Sequence, residues 1–322
     1  MKIKLSIVVP VYNEEESIPE LTEWIFRVVG GANITTEILM IDDGSTDASW
    51  AVIQQLSSAD PRVRGFRFNR NYGKSAALQT GFDHAQGDVV VTMDADLQDS
   101  PDELPALVAM IEQEGLDLVS GWKKRRHDPI TKTLPSKFFN RVTRWVSGIK
   151  LHDFNCGLKA YRCDVVKHIK VYGEMHRYIP LLAKWSGFSK IGEKVVEHRS
   201  RKYGTTKFGL ERFINGFLDL ISVTFVMRFR KRPMHFFGTL GFLSFLGGLI
   251  ISTWIIGEKL YRQYHHLDRR AVVDQPLFFL ALVAVIIGVQ LFLAGFLAEM
   301  MIQVNPKKND YIVIDRTDKT NG

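Results

Sequence analysis

The sequence predicts an α/β fold: a mostly parallel sheet with helices on both faces, followed by an interfacial helix and two transmembrane helices. Three observations predict it. Short apolar runs alternate with helix-period segments through the first 210 residues, which is how a parallel sheet reads. Polar and acidic clusters close the apolar runs, at the strand ends where such sheets bind ligands. From residue 233 onward, two stretches free of Asp, Glu, Lys and Arg are each long enough to cross a bilayer.

Each element follows from its own residues. KLSIVVP (4–10) is a buried strand stopped by Pro10. Asn13 and Ser17 offer helix-start chemistry, Ile18, Leu21, Trp24, Ile25 and Val28 recur at helical spacing, and Gly30-Gly31 ends the helix. EILMI (37–41) is the second strand; it breaks off at Asp42-Asp43-Gly44-Ser45, and a helix over 47–58 follows. The alternation continues with VRGFRF (63–68), a helix over 74–85, DVVVTM (88–93), a helix over 101–114 and DLVSG (117–121). The strand ends then carry Asp42-Asp43, Asn69-Arg70-Asn71, Asp94 with Asp96, and Trp122-Lys123, so the polar chemistry gathers on one edge.

Composition narrows the class. The 322 residues carry a formal charge of +7 and 46% hydrophobic residues, unevenly distributed. The start, MKIKLSIVVPVYNEEES, has too short an apolar run, too soon acidic, for a secretory signal, which predicts a cytosolic N-terminal region. Cys156 and Cys163 lack metal-type CxxC spacing and read as reduced thiols. No GxGxxG follows the first strand and no GxxxxGK[ST] occurs, against a dinucleotide fold and a P-loop NTPase. No nucleic-acid partner is expected.

The apolar stretches are 236–256 (FFGTLGFLSFLGGLIISTWII) and 276–298 (PLFFLALVAVIIGVQLFLAGFLA). Arg228, Arg230, Lys231, Arg232, Lys307 and Lys308 flank their outer ends, while Lys259, Arg262, Arg269 and Arg270 lie between them, which leans toward cytosolic termini. Residues 208–227 put Phe213, Phe217, Leu220 and Thr224 on one face, as in a helix lying in the interface or packed on the soluble domain. The expected division is a catalytic domain over 1–207, a juxtamembrane segment over 208–232, a two-helix membrane domain over 233–302 and a polar tail over 303–322. Gly238, Gly241, Gly247 and Gly248 permit close helix packing, within the chain or in a homo-oligomer.

The stretch VTMDADLQDS (91–100) asks why a buried strand should end in clustered acids. Mg²⁺ is typically held by one or two carboxylates plus substrate phosphates. An i, i+2 pair at a strand end can aim one carboxylate at a metal and the other at a ribose hydroxyl. Asp42-Asp43-Gly44-Ser45 reads equally as a turn with a helix cap, Arg70, Asn71 and Lys74 as a solvated loop, and Lys123–Arg126 as a solvated charge run. His152 reads as structural rather than metal-ligating.

VVPVYNEEESI, IDDGSTD, NYGKSAALQTGF and MDADLQDSP, in that order, resemble glycosyltransferase family 2, of GT-A fold. The resemblance is nearest to its membrane-attached polyprenyl-phosphate hexosyltransferases, the branch that includes dolichyl-phosphate mannose synthase. It implies that Pro10, Tyr12 and Glu14, then Ile41 and Asp43, hold the nucleotide. It implies that Asp94, Ala95, Asp96 and Gln98 meet sugar, diphosphate and metal, with Asp96 the principal ligand for Mg²⁺ or Mn²⁺. RSRKYGTTKFG resembles the family's Arg-x-x-Gly-x-Ser-Lys signature with Thr206 for Ser, placing Arg201 and Lys207 near the diphosphate. DFNCGLKAYR places Asp153 by the donor sugar or acceptor. Lys123, Lys137 and Asn140 fall where acceptor-phosphate contacts are expected, with lysines in place of two arginines, and lysine lacks arginine's bidentate fork.

The function implied is inverting transfer of a hexose from a UDP- or GDP-sugar to polyprenyl phosphate at the cytosolic leaflet. Negative charge grows on the departing diphosphate, where a metal and cations contribute most. A lipid phosphate has a second pKa near 6 by analogy with phosphorylated side chains, so Asp153 would orient rather than deprotonate. The alternatives are extension of a cell-surface polysaccharide and a non-catalytic membrane scaffold that keeps the fold.

Overall fold

Strand β1 (Leu5–Val11) is buried along its length except at half-buried Pro10, because both its edges and both its faces are covered. It pairs in parallel with β2 (Thr36–Asp42) on one side and β4 (Val89–Thr92) on the other. Strands covered on both faces need no polar alternation, which is why these three read as continuous apolar runs. Beyond β2 lies β3 (Val63–Arg67), also parallel. The computed structural model describes residues 2–124, 140–145, 147–199, 202, 233–267 and 271–304.

The complete sheet has seven strands in the order β3-β2-β1-β4-β6-β5-β7. Strand β5 (Leu118–Trp122) pairs in parallel with β7 (Ile191–Val195). Strand β6 (Lys159–Arg162) is inserted antiparallel between β4 and β5. The alternation pattern did not reveal β6 or β7. Strand β6 is four residues long and begins on a buried lysine, and β7 is half-exposed at the sheet edge.

Helix α1 (Ser17–Gly31) turns Ile18, Leu21, Trp24 and Ile25 into the core. Helices α2 (Ser49–Ala59), α3 (Lys74–His84) and α4 (Leu104–Gln113) follow β2, β3 and β4. A 3₁₀ turn at Pro101–Glu103 opens the stretch expected as one helix over 101–114. Residues 140–145 are also helical, and two short helices, α5 (Cys163–His168) and α6 (Ile179–Trp185), follow in the chain. Asn13 does not cap α1: it sits at φ +56° and its Oδ1 accepts from the Thr46 N–H at 2.8 Å, clamping the β1 loop to the β2 loop.

The chain forms two compact units, residues 1–224 and 225–322. The second holds α7 (Pro233–Tyr264) and α8 (Pro276–Val304), both longer than the apolar runs that announced them. Glycines set their approach. A Cβ on Gly241 would lie 2.7 Å from the Gly288 carbonyl oxygen, and one on Gly248 would lie 2.7 Å from that of Ala281. Gly247 faces open space. The outward faces expose Phe242, Ile250, Trp254, Phe279, Ile286 and Phe296, far more contiguous apolar surface than a protein in water presents. Both helices are long and apolar enough to cross a membrane, and the chain is a membrane protein. The segments 208–227 and 305–322 lie outside the described residues.

Candidate active site

The strand order reverses at β1: the chain steps from β1 outward to β2 and β3, then returns to lay β4 on β1's other edge. At such a switch point the loops leaving neighbouring strands diverge and open a crevice. Register aligns Val11 with Asp42 and Val8 with Thr92, so Tyr12, Asp43 and Asp94 emerge at the same end of the sheet. Pro10 is half-buried, Ile41 is a fully buried wall, and Tyr12 stands 39% exposed at the rim.

The β1 and β2 loops are held by side chains gripping backbone. Glu14 N–H donates to Ser49 Oγ at 2.9 Å, and Asn13 N–H to Ser45 Oγ at 3.0 Å. Asp42 Oδ1 accepts from Ser45 N–H at 2.9 Å, the turn that the sequence suggested, while its Oδ2 lies 3.3 Å from Arg67 Nε. Asp43 does something else: its two oxygens accept from the Tyr72 and Gly73 N–H groups at 2.7 and 2.9 Å. Burial pushes the Asp43 carboxyl up, against those two hydrogen bonds. The carboxylate fixes the loop that delivers Lys74. Gly44, at φ +73°, lets that loop close in, since a Cβ there would lie 2.5 Å from the Arg70 carbonyl carbon.

Lys74 heads α3 and its Nζ hydrogen-bonds Asp94 Oδ1. Burial alone would push the Asp94 carboxyl up, but Lys74, then Lys123 and His176, outweigh it and hold it at about 2. Asp94 is therefore ionised at every working pH. Its other flank is closed by Gly157, where a Cβ would lie 2.5 Å from Asp94 Oδ2. Thr92 Oγ1 donates to the Gly157 carbonyl at 2.8 Å and sets that approach.

Beyond Asp94 the chain turns. Ala95 is buried, Asp96 is half-buried with Oδ1 accepting from Gln98 N–H at 3.2 Å, and Leu97 sits at φ +59°. A leucine in the left-handed region costs free energy and persists only where its surroundings enforce it. Here Gln98 O accepts from Arg199 N–H at 2.9 Å, and Asp99 bridges to His198. His198 and Arg199 thus run beside the acidic segment. Arg201, Lys207 and Lys137 themselves lie outside the described residues.

The acceptor-side expectations meet a different environment. Lys123 turns inward, 14% exposed, with Nζ 2.8 Å from Asp99 Oδ1. Burial alone would lower its pKa, but Asp99 outweighs it and the pKa is raised. It is a buried ion pair beneath the acidic segment, not a cation open to a ligand. Asn140 is buried, and its Oδ1 accepts from Phe154 N–H at 3.3 Å, beside Asp153. Asp153 is also buried, with Oδ1 accepting from Asn155 N–H at 3.0 Å. His152 stacks on Trp122 at 4.1 Å, and its Nδ1 lies 2.6 Å from Glu193, the structural role expected of it.

Comparison with known proteins identifies the family. The sequence model for glycosyl transferase family 2 matches residues 6–170, just over half the chain. The chain belongs to glycosyl transferase family 2. It is 37% identical over 308 residues to the dodecaprenyl-phosphate galacturonate synthase of Rhizobium johnstonii, covering 93% of this chain and 88% of that one. It is 37% identical over 259 residues to the undecaprenyl-phosphate 4-deoxy-4-formamido-L-arabinose transferase of Pseudomonas savastanoi, covering 80% and 74%. Among solved structures it shares the fold of mannosyl-3-phosphoglycerate synthase from Rubrobacter xylanophilus, with a TM-score of 0.56 at 17% identity over 71% of this chain and 74% of that one. Glucosyl-3-phosphoglycerate synthase from Mycobacterium tuberculosis, crystallised with Mn²⁺, UDP-glucose and glycerol 3-phosphate, gives 0.51 at 23%, over 70% and 80%. These two likenesses establish the GT-A fold of this family 2 glycosyltransferase.

Three parts of the site escaped sequence reasoning. In the sequence Lys74 reads equally as a loop residue; only tertiary contact reveals that it meets Asp94. His176, whose ring Nδ1 and backbone N–H both lie 3.1 Å from Ser75 Oγ, comes from over a hundred residues away. Lys159 is 3% exposed, with Nζ donating to the Cys156 carbonyl, and burial lowers its pKa. The Cys156 thiol is itself buried and pushed up to about 12, first by burial and then by Asp99.

The donor set suits a hard divalent cation of the glycosyltransferase kind. Among the described residues no three His, Cys, Asp or Glu side chains converge to hold a metal by themselves. One or two carboxylates at a crevice mouth are what Mg²⁺ or Mn²⁺ uses when substrate phosphates complete its shell.

Proposed function

We propose that this glycosyltransferase transfers a hexose or closely related sugar from a UDP- or GDP-sugar to polyprenyl phosphate, with inversion, at the cytosolic face of a membrane. The observation that carries the reading is Asp94 and Asp96 at the β1/β4 switch point, beside Lys74 and backed by a buried ionic layer. The two relatives named above, polyprenyl-phosphate sugar transferases matched over most of their lengths, support the acceptor class. The catalytic part is residues 1–207, tethered through 208–232 to the membrane helices of 233–302, with the tail over 303–322 cytosolic.

Tyr12 offers an aromatic face to the base, with Pro10, Glu14, Ile41 and Asp43 shaping the nucleotide end. Asp96, with Gln98 and Asp94 beside it, would hold Mg²⁺ or Mn²⁺, which supplies positive charge to the departing diphosphate. Lys74 holds Asp94 ionised and in place and adds positive charge to the same crevice; Arg201 and Lys207 add theirs from the segment that Arg199 leads into. The acceptor phosphate is already anionic at neutral pH, so its oxygen attacks the anomeric carbon as the bond to the diphosphate breaks. Asp153, buried and hydrogen-bonded, orients donor or acceptor without having to take a proton.

The test uses the full chain with Mn²⁺ or Mg²⁺, undecaprenyl phosphate, and a donor panel of UDP-galacturonate, UDP-4-deoxy-4-formamido-L-arabinose, UDP-glucose and GDP-mannose. One donor should yield a lipid-linked sugar, and Asp96→Ala should abolish it. Transfer undiminished in Asp96→Ala overturns the metal assignment. No transfer from any donor overturns the activity.

A further inference from the structure

One indole stands where a protein in water does not leave one. Residues 140–145 are helical; Asn140 and Thr143 are buried, while Arg141 and Trp145, one turn apart, face outward. Trp145 is 84% exposed, more than any other large apolar side chain among the described residues. Its support is firm. Arg144 Nε donates to the Leu151 carbonyl at 3.0 Å, and Lys184 Nζ donates to the Ser147 and Gly148 carbonyls at 2.9 and 3.2 Å. The indole is therefore held out on a fixed mount, not stranded on a loose loop.

The described residues between 123 and 150 carry charge of one sign: Lys123, Lys124, Arg141, Arg144 and Lys150, with no Asp or Glu among them. Lys123 is paired with Asp99, but Lys124, Arg141 and Lys150 are exposed. A tryptophan beside basic residues suits the headgroup layer, where the ring is half in hydrocarbon and Lys or Arg meets anionic lipid. A two-fold contact with a second copy would bury the same ring but bring these cations together without facing acids. The chain's own membrane helices keep a bilayer within reach.

We propose that the Arg141–Trp145 face of the catalytic unit docks on the anionic headgroup surface of the membrane, with the indole at interface depth. Asn140, on the opposite side of the same turn, holds the backbone next to Asp153. Docking through this face therefore fixes the site's edge against the plane in which a lipid phosphate lies. The inference rests on the proposed transfer to a membrane lipid and adds how the catalytic unit meets that membrane.

The test places the full chain in nanodiscs of phosphatidylglycerol with phosphatidylcholine, or of phosphatidylcholine alone, each with and without brominated acyl chains. Tryptophan emission of the native chain minus that of Trp145→Phe isolates the Trp145 signal from Trp254 in α7. That difference should be quenched by brominated lipid, and more strongly in the anionic discs. Arg141→Ala and Trp145→Ala should each raise KM for bilayer undecaprenyl phosphate about fivefold, the effect of one surface cation, with kcat and the donor KM unchanged and Trp145→Phe near native. An unquenched Trp145 signal, or a KM unmoved in both alanine variants, overturns the docking. Quenching needs no turnover: quenching without transfer from any donor sinks the transfer reading alone, and transfer without quenching sinks the docking alone.

Discussion

Replacing Gly157 with alanine tests whether the position of Asp94, and not merely its presence, matters. Gly157 lies outside the left-handed region, so alanine adds no backbone strain, and Thr92 Oγ1 holds the backbone in place through the Gly157 carbonyl. The new methyl would sit 2.5 Å from Asp94 Oδ2 and 2.8 Å from its Cγ. Ordinary contact requires the carboxylate to retreat by about 1 Å, and a misplacement of that size can cost about 100-fold in rate. Lys74 on the opposite flank opposes the retreat. Gly157→Ala should therefore fold normally by circular dichroism, keep its donor affinity within a few fold, and lose about 100-fold in kcat in the lipid-linked transfer assay. Because the loss acts through one carboxylate, Gly157→Ala combined with Asp94→Ala should be no worse than Asp94→Ala alone. Near-native kcat in Gly157→Ala, or additive losses in the pair, would refute the argument.

Two further outcomes follow from the same contacts. Lys74→Met removes the largest influence opposing burial at Asp94, so its pKa should rise from about 2. The acid limb of the pH–rate profile should move to higher pH, with kcat near neutrality down about tenfold or more. A depressed carboxylate stabilises the fold above its ordinary pKa and loses that contribution as pH falls toward the folded value. The stability deficit of Lys74→Met in denaturant titrations should accordingly be full at neutral pH and vanish near pH 2. Gly44→Ala meets both a φ of +73° and the Arg70 backbone, and should destabilise by about 2–3 kcal/mol. A thermal melt should show this as a fall of about 5–10 °C.

What could be read from the chain, and what could not, divides along one physical line. The first five strands and first four helices were legible because periodicity is local: β1, β2 and β4 are buried on both faces and show it within seven residues. The acidic ends were legible for the same reason, since Asp94 and Asp96 interrupt an apolar run. Strand β6 was not, because it opens on Lys159 and borrows its burial from β4 and β5. The role of Lys74 was not legible either. It sits in a polar loop, and only the crossover of α3 brings it to Asp94. Lys123 shows the converse error: a charge run at a strand end suggests an open cation, yet the buried Asp99 lies beneath it and draws it in.

The two carboxylates of the Asp94-Ala95-Asp96 stretch are not equivalent, and the difference explains the pattern around them. Asp94 is gripped by Lys74 on one oxygen and walled by Gly157 at the other, so it has little freedom to follow an incoming cation. Asp96 lies past the strand end, on a turn whose shape is enforced by the left-handed Leu97 and by the pairing of Gln98 and Asp99 with residues 198 and 199. On the proposed reading Asp96 would accept a metal with each nucleotide and release it afterwards, and the second kind of support suits that role. Isolated buried charges are costly and buried pairs are only weak evidence for stability. The Asp99–Lys123 pair and the Lys159 hold on the Cys156 carbonyl are therefore better understood as positioning. They fix, respectively, the chain just after the Leu97 turn and the chain just before Gly157. One rigid carboxylate and one carboxylate on an enforced turn give the crevice a negative wall, and in the proposed reaction the second is the one placed to take up a cation.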